Sequence, residues 1–150
     1  MAYEFRRTRR VEFAETDCAG IVHFANYLRY MEETEHAFLR SLGLSVHPAP
    51  DDDGQIGFPR LASRCEYSCP LRFEEELEIW LRVARRRGSV ITYQFVFEVG
   101  GRRAAIGELV VVCCRFGDAD GPRKVPLPER YAAAIEEAPY EALVFRSPES

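Results

Sequence analysis

The spacing of apolar residues constrains this chain more than any other feature. Only one stretch repeats with helical period over several turns, and every long block after it alternates. Tyr27, Met31, Phe38 and Leu42 recur at close to helical spacing, and Leu28, Thr34 and Leu39 widen the stripe. This predicts one long amphipathic helix from about Phe24 to Gly43, a glycine being free to take the positive φ that closes a helix. Glu32, Glu33, Glu35 and Arg40 are expected around the other face. Downstream the period drops to two. Leu61, Cys65, Tyr67 and Cys69 share one parity; so do Leu77, Ile79, Leu81 and Val83, and then Ile91, Tyr93, Phe95, Phe97 and Val99. Gly100-Gly101 is a two-residue hairpin signal, because both positions tolerate positive φ. The strand after it, expected from Arg102 to Phe116, is apolar on both faces at Leu109–Val112 and so belongs inside a sheet.

An earlier strand is expected from about Tyr3 to Phe13, with Phe5, Val11 and Phe13 on one face and Arg7 and Arg9 breaking it, so its outer half is expected to be partly exposed. Ser45–Gln55, with two prolines and three consecutive aspartates, reads as a solvated loop. Arg85-Arg86-Arg87-Gly88-Ser89 is expected to turn the chain between two long strands. Pro128 opens a short C-terminal helix through Ile135, and the tail from about Pro139 is expected to be loosely held. The order is β-α-β-β-β-β plus a short helix, an α+β chain read as one domain over residues 1–150. A lone helix and an antiparallel sheet each have one apolar face to bury, and wrapping the sheet around the helix buries both. The sheet edges then favour association with a second copy.

Composition narrows the function classes. The formal net charge is -4, and the arginines are scattered, which disfavours nucleic acid as a partner. No apolar run approaches the roughly 20 residues needed to span a bilayer, so no membrane role is expected. The first ten residues lack the apolar core of a signal peptide. Five cysteines, an odd count with no C-x-x-C pair and no histidine at zinc spacing, read as reduced thiols in the cytoplasm. Cys65 and Cys69 read as small core residues, and Cys113 and Cys114 as opposite faces of one strand. No metal site is implied, and the three aspartates of the loop have no spaced ligand pattern around them.

Chemistry concentrates between Glu12 and Glu33. A strand-like start gives way to Asp17-Cys18-Ala19-Gly20-Ile21-Val22, then to Asn26-Tyr27 and the helix Leu28-Arg29-Tyr30-Met31-Glu32. This run resembles the 4-hydroxybenzoyl-CoA thioesterase family of hotdog-fold acyl-CoA thioesterases. The element order, the entry Phe73-Glu74-Glu75-Glu76-Leu77-Glu78-Ile79 and the ending from Pro126 to Ile135 also fit. The resemblance implies a hotdog sheet around the central helix, hydrolysis of an acyl-CoA thioester, and a homodimer with shared sites that often pairs into a homotetramer. It places Asp17 at the catalytic aspartate and Phe24 at the position whose backbone N–H polarises the thioester carbonyl. It brings Gly20, Ile21, Asn26 and Tyr27 to the substrate, and Arg86 and Arg87 to the phosphates of CoA, for which a solvated hairpin is the plain alternative.

The chemistry is sound on its own terms. A helix N-terminus offers free N–H groups to developing negative charge on oxygen. A carboxylate one loop away can attack the carbonyl, giving a mixed anhydride, or activate water; both roles stay open for Asp17. CoA is a good thiolate leaving group and part of the substrate, so no cofactor is called for. Cys18 is an alternative nucleophile. His23 is a further candidate, to orient Asp17, contact the acyl group or pack. Asn26 is expected to hold the turn through side-chain hydrogen bonds. Glu32 and Glu33 match the helix-borne base of other hotdog branches, with a solvated face as the alternative. The aromatic residues Phe24, Tyr27, Tyr30, Phe38 and Phe58 permit an aryl or a fatty acyl group. Two other readings compete: a hotdog dehydratase or isomerase, which would centre on a histidine, and a non-catalytic acyl-CoA-binding subunit.

Overall fold

A computed structural model describes residues 2–117 and 119–145. Strand β1 (Glu4–Arg10) leads through a 3-10 turn at Phe13–Glu15 to helix α1 (Asn26–Ser41). Then come β2 (Gln55–Gly57), β3 (Arg60–Tyr67), β4 (Glu76–Arg87), β5 (Val90–Val99), β6 (Arg102–Val112), β7 (Cys114–Phe116), β8 (Arg123–Lys124) and α2 (Glu129–Ala134). Five strands form one antiparallel sheet in the order β1-β4-β5-β6-β3, and β2, β7 and β8 form a small second sheet. The large sheet wraps around α1, the hotdog arrangement expected from the sequence.

The alternation predicted for the long strands is the one observed. Leu77, Ile79, Leu81 and Val83 are buried on the face where Tyr93, Phe95 and Phe97 also lie. Helix α1 lays Tyr27, Tyr30, Met31, Thr34, Phe38 and Leu39 into that concave face. Gly107 on β6 makes the close approach possible, since a Cβ there would overlap the Met31 sulfur. Gly43 follows the helix with φ of 73°, and Gly100 and Gly101 turn the β5–β6 hairpin with φ of 54° and 75°.

Several expectations needed correction. Strand β1 stops at Arg10, and Phe13 lies exposed on the 3-10 turn, edge-on to the Phe73 ring. Arg9 faces the helix side: it sits over the Tyr30 ring and pairs with Glu15 and Glu33. Glu35, expected on the solvated face of α1, is buried against Arg60. A bulge between Arg60 and Ala62 explains that contact. It turns Arg60 onto the concave face opposite Val111 and leaves Leu61, expected inside, 60% exposed. The strand expected to continue through Phe116 breaks at Cys113, whose N–H donates to Ser89 O (2.8 Å) and whose carbonyl accepts from Val125 (3.0 Å). Cys113 and Cys114 are both buried there.

Strand β4 runs on through Arg87, so the arginine triplet is strand and the turn is confined to Gly88-Ser89. The loop before β3 contributes β2, and Asp51 pairs with Arg115 across it (2.7 Å). Part of the tail expected to be loose is tied to the outer face of the sheet. Gln94 donates to the Val144 carbonyl (2.6 Å), and the Val144 N–H donates back to it (2.9 Å). Residues 146–150 of that tail lie outside the described residues.

Candidate active site

Asp17 sits on a loop that closes on itself. Its N–H donates to Ile21 O (2.8 Å), Gly20 N–H donates to its carbonyl (3.0 Å), and Gly20 takes φ of 78°. Its Oδ1 accepts the Ala19 N–H at 2.8 Å and lies 3.4 Å from the Ile21 N–H. The loop is fixed at its base by the Thr16–Val22 bridge and by Val22 N–H to Leu71 O (2.8 Å). These are short-range contacts, which any Asp-x-x-Gly turn can make. They engage one carboxylate oxygen and leave Oδ2 without a hydrogen bond among the described residues.

The entry to α1 is held from the other side. His23 N–H and the Asn26 side-chain amide both donate to the Glu15 carbonyl, each at 2.8 Å. Asn26 thus holds the turn, as its residue type suggested. The Phe24 N–H donates no hydrogen bond among the described residues, while its carbonyl accepts from the Tyr67 hydroxyl (3.1 Å). Asp17, Ile21, Val22, Phe24 and Tyr27 line one cleft of about 400 Å³ with Tyr67, Ser68, Cys69 and Pro70. Its lining is mostly apolar, and Tyr27 packs its ring edgewise on Tyr67 (4.8 Å) and Phe97 (5.5 Å). Burial pushes the Tyr27 phenol above its usual range, so it stays a neutral wall.

The structure therefore gathers Asp17, Ile21, Phe24 and Tyr27, whereas Gly20 and Asn26, expected at the substrate, do not line the cleft. His23 is turned away: its Nδ1 accepts the Ala25 N–H (3.1 Å) and its ring stacks on Phe24. Tyr30 and Phe38 are core, and Phe58 packs against Tyr131. Cys18 is exposed and does not line the cleft. Arg86 and Arg87 stand at the far end of β4. Its near end meets the Asp17 region through Val11 N–H to Glu75 O and the Ile21–Arg72 bridge. Ten residues of strand separate the two, roughly 30 Å. Arg87 is exposed, whereas Arg86 shares the inward face of Ile91 and its N–H donates to Glu137 (2.8 Å).

Sequence reasoning missed Ser68 and Pro70, and it treated Tyr67 and Cys69 as ordinary core. It also missed a second cavity of about 520 Å³, where Glu32, His36 and Arg60 face Val46, Ile56, Phe58 and Phe116. Arg60 grips both oxygens of Glu35 beside it (2.6 and 3.0 Å) and reaches Glu32 (3.4 Å). A smaller hollow lined by Leu28, Met31, Ser63 and Leu109 lies between the two cavities. All three follow the seam between α1 and the edge strand β3.

A five-stranded antiparallel sheet wrapped on one long helix is the hotdog arrangement. The model of the thioesterase-like superfamily matches residues 11–135, and the chain belongs to that family. The protein is a thioester hydrolase. A 1,4-dihydroxy-2-naphthoyl-CoA hydrolase of Thermosynechococcus vestitus is 31% identical over 136 residues, covering 89% of this chain and 90% of its own. A solved gentisyl-coenzyme A thioesterase is 28% identical with a TM-score of 0.75, over 88% of this chain and 100% of that one. A 1,4-dihydroxy-2-naphthoyl-CoA thioesterase of Synechocystis, at 22% identity and a TM-score of 0.77, shares the fold over 88% of this chain and 95% of that one. Among the described residues no helix is long and apolar enough to cross a membrane.

Proposed function

We propose that this protein hydrolyses acyl-CoA thioesters at the Asp17 cleft, with an aromatic acyl group as the first substrate to test. One observation carries this reading: Asp17, with one oxygen uncommitted, and Phe24, with its N–H uncommitted, line the same apolar cleft. The carbonyl oxygen is received by the Phe24 N–H, where charge develops in the transition state. Asp17 attacks the carbonyl carbon, and collapse expels the CoA thiolate and leaves a mixed anhydride that water cleaves to two carboxylates. Alternatively Asp17 takes a proton from water as the water attacks. Either route ends in free acid and CoA, and no cofactor is called on. The aromatic walls Tyr27 and Tyr67, together with the aryl substrates named for the relatives, favour an aryl acyl group.

The working unit in this reading is a homodimer with shared sites, and a tetramer would be a pair of such dimers. Strand β3 is an edge whose Leu61 and Tyr67 are exposed, a surface that invites pairing with another chain. A two-fold axis across β3 sets the Asp17 cleft of one copy against the second cavity of the other. Such a pairing would also offer the other copy's Arg86 and Arg87 to CoA, since within one copy they stand at the opposite end of β4 from the Asp17 region. A cytoplasmic location belongs to the same reading, since all five cysteines are free thiols.

The test is thiol release from aryl, short, medium and long acyl-CoAs by the parent and by Asp17→Asn. The parent should favour an aryl ester, and Asp17→Asn should lose about a thousandfold or more in kcat, roughly 4 kcal/mol, with an unchanged melting temperature. Full activity in Asp17→Asn would remove Asp17 from the chemistry. Leu61→Glu should sediment as a monomer and lose turnover; an active monomer would overturn the shared site.

A further inference from the structure

The two halves of the proposed reacting pair are seven residues apart in sequence and belong to different local structures, a closed loop and a helix entry. One residue touches the support of both. Glu15 lies two positions before Asp17, and its carbonyl takes the His23 N–H and the Asn26 amide at the helix entry (2.8 Å each). Its side chain is held in turn. Arg9 Nη1 donates to Oε1 (2.6 Å) and Nη2 to Oε2 (2.5 Å), a two-pronged grip that fixes the plane of the carboxylate. Glu15 Oε1 also accepts the Glu12 N–H (2.7 Å), which closes the 3-10 turn. Arg9 is anchored on the body of the protein: it is a β1 residue opposite Leu77, its guanidinium lies 4.4 Å over the Tyr30 ring, and its Nε donates to Glu33 on α1 (2.8 Å). The side chains of Arg9 and Glu15 are each only 16% exposed, so water competes weakly for these contacts.

We propose that Arg9 is a positioning residue for hydrolysis: through Glu15 it fixes the placement of the Asp17 carboxylate relative to the Phe24 N–H. This rests on the assignment of those two groups as the reacting pair. Arg9 touches neither the cleft nor the substrate; it sets the turn that carries one group and the hydrogen bonds that aim the other. Misplacing reacting groups by about 1 Å can cost on the order of a hundredfold in rate, so a modest loosening suffices to be seen.

The informative variant is Arg9→Lys. It keeps the charge and the stem over Tyr30, but an ammonium cannot hold both Glu15 oxygens in one plane. In the full-length protein Arg9→Lys should lower kcat about tenfold on every acyl-CoA that the parent hydrolyses, with KM within about twofold and the melting temperature nearly unchanged. Amide exchange at His23 should speed up, while exchange along β5 should not. Glu33→Gln, which removes the charge that ties Arg9 and Arg7 to the helix and leaves the Glu15 grip whole, should keep kcat within about twofold. Parent-like kcat in Arg9→Lys, a rise in KM alone, or equal losses in Arg9→Lys and Glu33→Gln would each overturn the proposal. The exchange experiment separates it from the reading beneath it. Absence of thioester turnover in the parent would overturn the assignment of Asp17 and Phe24, whereas unchanged exchange at His23 would overturn the Arg9 grip whatever the activity.

Discussion

Two arginine forks brace helix α1, and they differ in what burial does to the carboxylate they hold. Arg9 grips Glu15, whose side chain keeps 16% exposure, and a neighbouring N–H adds a further hydrogen bond. Arg60 grips Glu35 on the helix, whose side chain is 1% exposed. Burial acts to raise both carboxyls. At Glu15 the Arg9 hydrogen bonds and the Glu12 N–H outweigh it and hold the group below the usual carboxylate range. At Glu35 burial wins over Arg60 and the group stays above it. Similar geometry thus gives one fork that favours its charge and one whose charge is tolerated. Asp17 has no fork at all, only main-chain donors on one oxygen, and that leaves it available for chemistry.

The sharpest break of this comparison is Arg60→Met. Removing Arg60 leaves Glu35 in the core with only His36 Nε2, 3.7 Å from Oε1, beside it, and breaking a buried pair typically costs about 3–5 kcal/mol. Urea unfolding should show a loss of that size. Adding Glu35→Leu should recover most of it, because an apolar pair of similar volume is often neutral or better. A loss under about 1 kcal/mol in Arg60→Met would mean that Glu35 has access to water and that the two forks are alike. Glu15→Gln should cost less, about 1–2 kcal/mol. Glutamine still accepts the Glu12 N–H and one prong of Arg9, and Arg9 keeps Glu33.

The forks also mark where sequence reading reached and where it stopped. That Asp17 and Phe24 share one cleft was legible because the loop and helix entry that carry them are built mainly from short-range contacts: an Asp turn, a glycine with positive φ and a helix start lie within a few residues of one another. The fold was legible because periodicity survives wherever a strand is regular, as from Leu77 to Val83 in β4 and from Ile91 to Phe97 in β5. The far wall of the cleft was not, because Tyr67–Pro70 is brought there by sheet order across more than 40 positions of chain. Nor was the Arg60–Glu35 fork. Parity counting assumes an unbroken strand, and the bulge at Leu61 exchanges inside for outside, sending an arginine to the helix and a leucine to the edge. Glu35 looked solvated by spacing alone, because the stripe on α1 is wider than its apolar residues reveal.

The smallest effect expected is a difference in the sign of pH dependence. Glu15 has a folded pKa below the ordinary 4.5, so the unfolded chain binds its proton more tightly. Its stabilisation is present above that value and lost as the pH falls through the folded one. The stability gap between the parent and Glu15→Gln should therefore close as the pH falls below about 4.5. Glu35 has a folded pKa above 4.5, so the folded chain binds the proton more tightly. Its contribution is largest below 4.5 and declines as the pH climbs through the folded value. Measured against Glu35→Gln, the parent should lose ground as the pH rises above about 4.5, the reverse of the Glu15 series. Both series are read from urea midpoints at fixed ionic strength. Gaps that move in the same direction would show that burial does not separate the two forks, and that Glu35 is as charge-adapted as Glu15.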